Sequence, residues 1–234
     1  MQRSTAQDWT QRLARLATTA VSDVLDECGY RQQSLSSAIR PLERGMRFAG
    51  TAVCVGGVSE HHVAPDAPAA LPAYAIDACV TASSVLVIAT RGHEEGAVVG
   101  GLMSLAFARR GCAGVVVDGG VRDADEIATL KLPTFCRYVT PINATKRWRV
   151  TSIDQPVSVA GQTSEVVGVA PGDYVIGDVD GVMVIPQAII GDVVEWAERL
   201  PDSERTIDAG LNRGESRARL FADHPRFAHI RRLK

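Results

Sequence analysis

The sequence is poor in aromatic residues, which make up 5% of its 234 residues, and it lacks long apolar runs. No stretch approaches the roughly 18 residues that span a bilayer, so we expect no membrane partner. Positive charge is not in excess either, because 25 Lys and Arg stand against 27 Asp and Glu, for a formal net charge of −2. A broad nucleic-acid-binding surface needs a strongly basic face, so we expect no nucleic-acid partner.

Cysteine pairs are also missing. The five cysteines form no CxxC motif and their number is odd. We therefore expect buried free thiols in a reducing, cytoplasmic compartment. The alternative is a catalytic thiol, for which Cys136 beside the basic Arg137 is the candidate. The N-terminal segment MQRSTAQDWTQRLARL is polar and shows no secretory signal.

Glycine and aliphatic residues are what the sequence has in quantity. The 21 glycines predict many turns, and a hydrophobic content of 46% predicts a folded core. Continuous apolar runs at 83–90 and 112–120 are typical of strands buried on both faces. They alternate with helical patterns at 100–111 and 122–130, and this order predicts an α/β fold with a parallel sheet. Residues 156–186 are rich in strand and turn patterns and predict an additional β layer.

We expect a single domain over residues 1–234, because no low-complexity linker and no fixed-period repeat interrupts the chain. Its predicted parts are N-terminal helices within 8–29, a core over 46–186, and C-terminal helices with a tail over 187–234. Within the first part, Thr19 is predicted to cap the second helix and Gly29 to end it.

The first candidate site lies at Gly100 and Gly101, where a helical pattern begins after a buried strand. Ligands of α/β proteins gather at the carboxyl ends of parallel strands. Glycines let a ligand approach the backbone, and the free amide groups at a helix start suit an anion such as a carboxylate. The alternative is a simple tight turn.

The second candidate site follows the next strand, where Arg122, Asp123 and Glu126 come in quick succession. Asp123 and Glu126 share a helix face if a helix begins there. A single carboxylate ligand, with water filling the rest of the shell, is how Mg²⁺ is usually held, and an arginine can pair with an enolate oxygen. The alternative is a helix N-terminus decorated with acids, which its dipole favours.

Taken together, residues 100–126, GGLMSLAFARRGCAGVVVDGGVRDADE, resemble the signature of the RraA-like family. Its enzymatic branch is the class II 4-hydroxy-4-methyl-2-oxoglutarate (HMG)/4-carboxy-4-hydroxy-2-oxoadipate (CHA) aldolases. The resemblance covers roughly residues 18–212. Further segments resemble family blocks in the same order: TTAVSDVLDECG (18–29), RFAGTAVCV (47–55), VAPGDYVIGDVDGVMVIP (169–186) and ERTIDAG (204–210).

The resemblance implies a swivelling β/β/α sandwich that assembles as a homotrimer or homohexamer, with sites at subunit interfaces. It implies that Asp123 binds Mg²⁺ or Mn²⁺, that Glu126 organises water on the metal, and that Arg122 holds the pyruvyl oxygen. The backbone at Gly100, Gly101, Leu102 and Met103 would bind the pyruvate carboxylate. A carboxylate from a neighbouring subunit is implied as well, with Glu204 as candidate and Glu198 as fallback.

The implied activity is cleavage of a 4-hydroxy-2-oxo acid, HMG or CHA, to pyruvate and a second oxo acid, with oxaloacetate decarboxylation beside it. The sequence has no lysine before Lys131, so the first half offers no Schiff-base lysine, while Lys131 and Lys146 remain available for one. The rival class is a non-catalytic RraA-type protein that binds and inhibits a ribonuclease. Glu126 after Arg122-Asp123, with an intact glycine pair, favours the enzyme.

Three histidines lie in segments near the expected mouth of the site, namely His61, His62 and His93. A metal role is one interpretation, and contact with the distal part of the substrate is another. The segment 58–73, predicted as a loop with a short helix after it, has Pro and Ala where many relatives are more polar. The distal substrate preference is therefore left open by the sequence.

Overall fold

The computed structural model describes residues 6–62 and 69–233. In these residues the α-helices are α1 (Ala6–Leu13), α2 (Thr18–Cys28), α3 (Gly101–Arg109), α4 (Ala124–Thr129), α5 (Ile190–Ala197), α6 (Leu200–Asn212) and α7 (Arg217–Asp223). Short 3₁₀ helices cover Glu60–His62, Ala73–Ala78 and Gln187–Ile189. The strands are β1 (Arg40–Pro41), β2 (Phe48–Ser59), β3 (Ser84–Ala89), β4 (Ala97–Val99), β5 (Gly114–Val121), β6 (Thr134–Val139), β7 (Trp148–Ile153), β8 (Val157–Ala160), β9 (Val166–Val169), β10 (Tyr174–Asp178) and β11 (Gly181–Ile185).

One large mixed sheet forms the centre of the described structure. Its strand order is β1-β6-β5-β3-β2-β10-β11, with β4 beside β5 and β7 beside β2. The strands β2, β3, β5 and β6 are parallel, as the alternation of apolar runs and helices predicted. Strands β10, β11 and β7 join antiparallel, and β8 and β9 form a separate hairpin.

The two faces of the sheet are covered by different layers. Successive side chains of a strand point to opposite faces, and β2 shows this directly. Val53 and Val55 pack in a cluster with Phe107 of α3 and Ile127 of α4. Cys54, between them, packs in a cluster with valines of the β8–β9 hairpin. The chain is therefore a mixed α/β single domain with β, β and α layers, and the predicted sandwich is confirmed.

The N-terminal helices confirm one predicted cap and correct the other. Gly29 ends α2 with a φ of 102°, in the left-handed region that favours glycine. The prediction that Thr19 caps this helix is wrong, because the N-cap is Ala17 and makes no side-chain cap bond. Asp178, from the β10–β11 turn, instead accepts from the Thr18 backbone N–H at 2.9 Å and from its hydroxyl at 2.6 Å. A distant carboxylate thus replaces the local cap.

Two segments differ from the sequence-based expectation. Strand β2 continues to Ser59, so the loop predicted over 58–73 begins with strand and the helix Glu60–His62, while residues 63–68 lie outside the described structure. Strand β7 was not predicted, although it pairs with β2 and contributes Trp148 and Val150 to the core. None of the described helices has the length and apolar character needed to cross a membrane.

Candidate active site

Two segments about twenty residues apart meet because β4 pairs in parallel with β5. Val99 is aligned with Val121, and the backbone N–H of Arg122 donates to the carbonyl of Val99 at 3.0 Å. Gly100 and Arg122 each come directly after these strands. The pairing therefore places the predicted glycine pair beside the predicted charged cluster.

Asp123 takes a backbone conformation that turns its carboxylate toward Gly101. Its φ of 60° and ψ of 42° lie in the left-handed region, which Asp adopts more readily than most residues. It is the N-cap residue of α4 but makes no side-chain cap bond there. Its Oδ2 accepts from the Gly101 N–H at 3.0 Å and lies 3.6 Å from Nε of Arg122. With 36% of the side chain exposed, the carboxylate keeps free lone pairs for a ligand.

The absence of side chains at Gly100 and Gly101 lets the charged groups come close. A Cβ added at Gly100 would lie 2.9 Å from Oδ2 of Asp123 and 3.0 Å from Nε of Arg122. A Cβ added at Gly101 would overlap Oε2 of Glu126. The structure thus brings Arg122, Asp123 and Glu126 together around the glycine pair. A side chain at either glycine would collide with these charged groups. The glycine pair is therefore explained by the close approach of the charged residues rather than by a simple tight turn.

The N-terminus of α3 faces the same place. Gly100 caps this nine-residue helix without a side chain that could bond the first amides. Helix geometry leaves the N–H groups of Leu102 and Met103 without an intrahelical acceptor, and the helix dipole adds positive potential there. The side chain of Leu102 is 84% exposed, so this end of the helix is open. This end of the helix offers amide donors to an anion, and its role in binding a carboxylate stays a prediction.

A cavity of about 330 Å³ opens beside this helix end. Gly100, Leu102, Met103 and Arg122 line its near side. The far side is formed mainly by the chain around Leu71 and by β7, and its members include Ala70, Leu71, Pro72, Ala73, Ile76, Asn143, Ala144, Thr145, Trp148, Arg149 and Val150. A small acid bound at the helix end would extend into this space.

The residues present fit a hard divalent cation. Carboxylate oxygens of Asp123 and Glu126 are the ligands that Mg²⁺ and Mn²⁺ prefer. No group of three or more His, Cys, Asp or Glu side chains arranged for a metal occurs in residues 6–62 and 69–233. The rest of a metal shell would come from water and substrate, and Mg²⁺ commonly keeps several waters.

Two of the three histidines, His61 and His93, do not line the cavity. His61 lies 3.7 Å from Glu95 through its Nδ1, and His93 is 2% exposed with its Nδ1 2.8 Å from the Ser59 hydroxyl. Burial lowers the pKa of His93, which favours the neutral ring. Neither residue lines the cavity. The side chain of His62 is outside the described structure.

The two carboxylates considered for a neighbouring subunit's site have partners in their own chain. Glu204, on α6, pairs with Arg226, which also lies 3.0 Å from Asp23. Glu198 forms a bidentate salt bridge with Arg12, whose Nε and Nη2 donate to the two carboxylate oxygens at 2.9 and 2.6 Å. Neither is brought to the site of its own chain, and the role of Glu204 toward a neighbour stays a prediction.

A second aspartate–arginine pair was missed by sequence reasoning. Arg137, on β6, pairs with Asp118, whose side chain is 7% exposed and also accepts from the Ala160 N–H at 3.4 Å. Arg137 is thus committed to a carboxylate. Cys136 is 5% exposed, and burial raises the pKa of its thiol to about 11, which disfavours the catalytic-thiol alternative. The cysteines of the structure are free, and all are buried except the partly exposed Cys79.

Comparison with known proteins agrees with this architecture. The profile of the RraA-like family, described as Aldolase/RraA, matches residues 18–184. A Halalkalibacterium halodurans protein with the provisional name 4-hydroxy-4-methyl-2-oxoglutarate aldolase is 32% identical over 223 residues, or 93% of this chain and 97% of its own. An uncharacterized Methanocaldococcus jannaschii protein is 37% identical over 131 residues, or 56% of this chain, and the match covers 60% of that relative.

Among solved structures, that of Streptomyces coelicolor RraAS2, titled an unusual member of the RNase ES inhibitor RraA protein family, is similar to this chain. The TM-score is 0.74 at 27% identity, over 87% of this chain and 97% of the other. The match of the family profile to most of the chain and the near full-length relative agree with each other. The chain belongs to the RraA-like family.

Proposed function

We propose that this chain is a divalent-metal-dependent class II pyruvate aldolase. It cleaves a 4-hydroxy-2-oxo acid of the HMG or CHA type to pyruvate and a second oxo acid, and it decarboxylates oxaloacetate as a related activity. The observation that carries the proposal is the grouping of Arg122, Asp123 and Glu126 at the open amide end of α3, beside the cavity. The relative with the aldolase name supports it.

In this proposal the substrate carboxylate accepts from the N–H groups of Leu102 and Met103. The guanidinium of Arg122 is 37% exposed, lines the cavity beside Gly100, and in this proposal donates to the 2-oxo oxygen. As the C3–C4 bond breaks, negative charge moves onto that oxygen. Preorganised donors aimed at developing charge stabilise such a transition state strongly.

Asp123 would hold Mg²⁺ or Mn²⁺, with Glu126 directing a water molecule of its shell. The cation would supply Lewis-acid charge at the 2-oxo group, which lowers the barrier to enolate formation. The 4-hydroxyl proton must leave as the bond breaks, and a proton must later reach C3 of the enolate. A water held near Glu126 or Arg122 could accept and return it. No lysine amine is required in this scheme.

The proposal includes a homotrimer or homohexamer in which a neighbouring subunit completes the site. For this, Glu204 would have to give up its ion pair with Arg226 and lie near the Asp123 of the neighbouring subunit. Substitution of Glu204 by Gln in a mixed assembly with active-site variants would test this. Activity in hybrid assemblies of two individually inactive subunits would support the shared site. Inactive hybrids would contradict it.

The decisive experiment is a coupled assay of pyruvate release from HMG and from oxaloacetate, with Mg²⁺, with Mn²⁺ and after chelation. We expect pyruvate release that needs the metal and is restored when the metal is added back.

The alternative, a non-catalytic inhibitor of a ribonuclease, is favoured by the likeness to RraAS2. Failure to release pyruvate from either substrate, together with inhibition of a purified ribonuclease, would establish that alternative.

A further inference from the structure

Arg149 is a partly exposed cavity residue with one unsatisfied buried donor. It lies on β7 and lines the cavity beside the proposed site. Its Nε is buried and has no hydrogen-bond partner in the structure. A charged donor removed from water without an acceptor is unfavourable, so such groups in native proteins are normally satisfied. A ligand carboxylate in the cavity would give the partly exposed guanidinium of Arg149 an acceptor.

The charges around the cavity leave Arg149 available for the substrate. Among the described residues, the charged ones that line it are Glu60, Arg122 and Arg149. Arg122 is assigned above to the 2-oxo group. Arg149 is then the cation available to the other end of a bound acid, and Glu60 opposes any additional negative charge.

The remainder of the far wall is mostly apolar. The isolated bridge between Leu71 and Val150, with a hydrogen bond of 3.1 Å from the Leu71 N–H, holds the two sides of the wall together. The indole of Trp148 packs over Gly57, where a Cβ would overlap the ring, and this contact fixes the wall in place. Such a surface suits a methyl group, and within the part of the chain that the structure describes this wall gives no second cation for a carboxylate.

We propose that Arg149 binds one carboxylate at the distal end of the substrate and thereby determines specificity. The preferred substrate class is a 4-hydroxy-2-oxo dicarboxylate with a small apolar group at C4, as in HMG, rather than a tricarboxylate such as CHA. This inference rests on the proposed aldolase function. It deepens that function by distinguishing between the two candidate substrates.

A binding experiment tests the inference without turnover. The probe is 2-oxoglutarate, which has a distal carboxylate and no 4-hydroxyl to cleave, and the matched probe without that carboxylate is 2-oxopentanoate. By calorimetry at fixed Mn²⁺, we expect the native protein to bind 2-oxoglutarate about tenfold to a hundredfold more tightly, the range of one charge-assisted hydrogen bond. Arg149→Leu should remove that preference, and Arg149→Lys should retain part of it.

Arg44→Gln is the matched control, because Arg44 is exposed, does not line the cavity and carries the same charge. It should leave both affinities unchanged. Circular dichroism of each variant checks folding, and Arg149→Gln provides a polar alternative if the leucine variant does not fold. An undiminished preference for 2-oxoglutarate in the folded Arg149 variants would overturn the role of Arg149.

Kinetics separate the inference from the function on which it rests. We expect kcat/KM for HMG to exceed that for CHA at least about tenfold. In Arg149→Leu, the preference for HMG over 4-hydroxy-2-oxopentanoate should fall by the factor seen in binding, mainly through KM. If the native protein cleaves HMG but prefers CHA, the inference alone is wrong. If it cleaves neither HMG, nor CHA, nor 4-hydroxy-2-oxopentanoate, the aldolase function is wrong and the inference is wrong with it.

Discussion

Two aspartate–arginine pairs lie near the end of β5, and their surroundings differ. Asp118 is 7% exposed, pairs with Arg137 and accepts from the amide of Ala160 on the hairpin side of the sheet. Asp123 is 36% exposed, lies 3.6 Å from Arg122 and accepts from the amide of Gly101 on the helix side. The two carboxylates are five positions apart in the sequence.

The difference indicates which carboxylate is available for chemistry. Buried carboxylates are tolerated when they are paired and hydrogen-bonded, and Asp118 meets both conditions. Asp123 has a longer ion pair and partial exposure, so it can exchange water for a cation. We infer that Asp118 holds the sheet to its hairpin, whereas Asp123 serves the ligand. The predictions below test this division.

The largest effect is expected from Asp123→Ala. Loss of the proposed metal ligand should lower metal-dependent pyruvate release by about a thousandfold or more, since a catalytic metal contributes several kcal/mol of transition-state stabilisation. The free energy of unfolding should fall by about 1–2 kcal/mol, because alanine loses the hydrogen bond from Gly101 and adopts the left-handed conformation less readily than Asp. Coupled assays and urea denaturation measure the two quantities. A variant with native activity would contradict the role of Asp123.

Asp118→Ala should show the reverse pattern. Breaking a buried ion pair costs about 3–5 kcal/mol, and because water can partly solvate Arg137 we expect about 2–3 kcal/mol. Specific activity of the folded fraction should stay close to native. Asp118→Asn, which keeps an acceptor for Arg137, serves as the control and should lose less stability. Equal losses of activity in Asp118→Ala and Asp123→Ala would remove the distinction between the pairs.

The sequence patterns predicted the exposed pair, Arg122 and Asp123, but not the buried pair, Asp118 and Arg137, and the reason is physical. Gly100-Gly101, Arg122, Asp123 and Glu126 form local patterns at strand ends, where ligand chemistry is expected. The partners of Asp118 lie 19 and 42 positions away and are brought together by the tertiary fold. Local patterns carry no information about such a contact.

The same distinction applies to the fold. The apolar runs predicted the core strands β3 and β5, whose residues are all buried. The alternation of polar and apolar residues in β7 gave a weaker signal, and its pairing with β2 includes a register shift at Gly56 and Gly57. The unpartnered Nε of Arg149 depends on that pairing, so the sequence alone left the distal end of the site undefined.

A smaller effect is expected from Gly101→Ala. The added Cβ would displace the Glu126 carboxylate, and a misplacement of that size can lower activity by about tenfold to a hundredfold. Gly168→Ala is the matched control, because its Cβ meets no atom within 4 Å. We expect that control to keep native activity. Equal kcat/KM in the two variants would show that the position of Glu126 does not matter for turnover.

The smallest effect concerns His93, which is 2% exposed and lies beside the Ser59 hydroxyl. Burial lowers its pKa in the folded protein below the ordinary value, so the unfolded chain binds the proton more readily. The contribution of His93 to the free energy of unfolding is therefore fully present above the pKa of the unfolded chain, about 6.5. It decreases as the pH drops below that value. Urea denaturation at pH 7.5 and pH 5.5 should show a steeper loss for the native protein than for His93→Gln. Identical losses would mean that His93 takes up its proton as easily in the folded protein as in the unfolded chain.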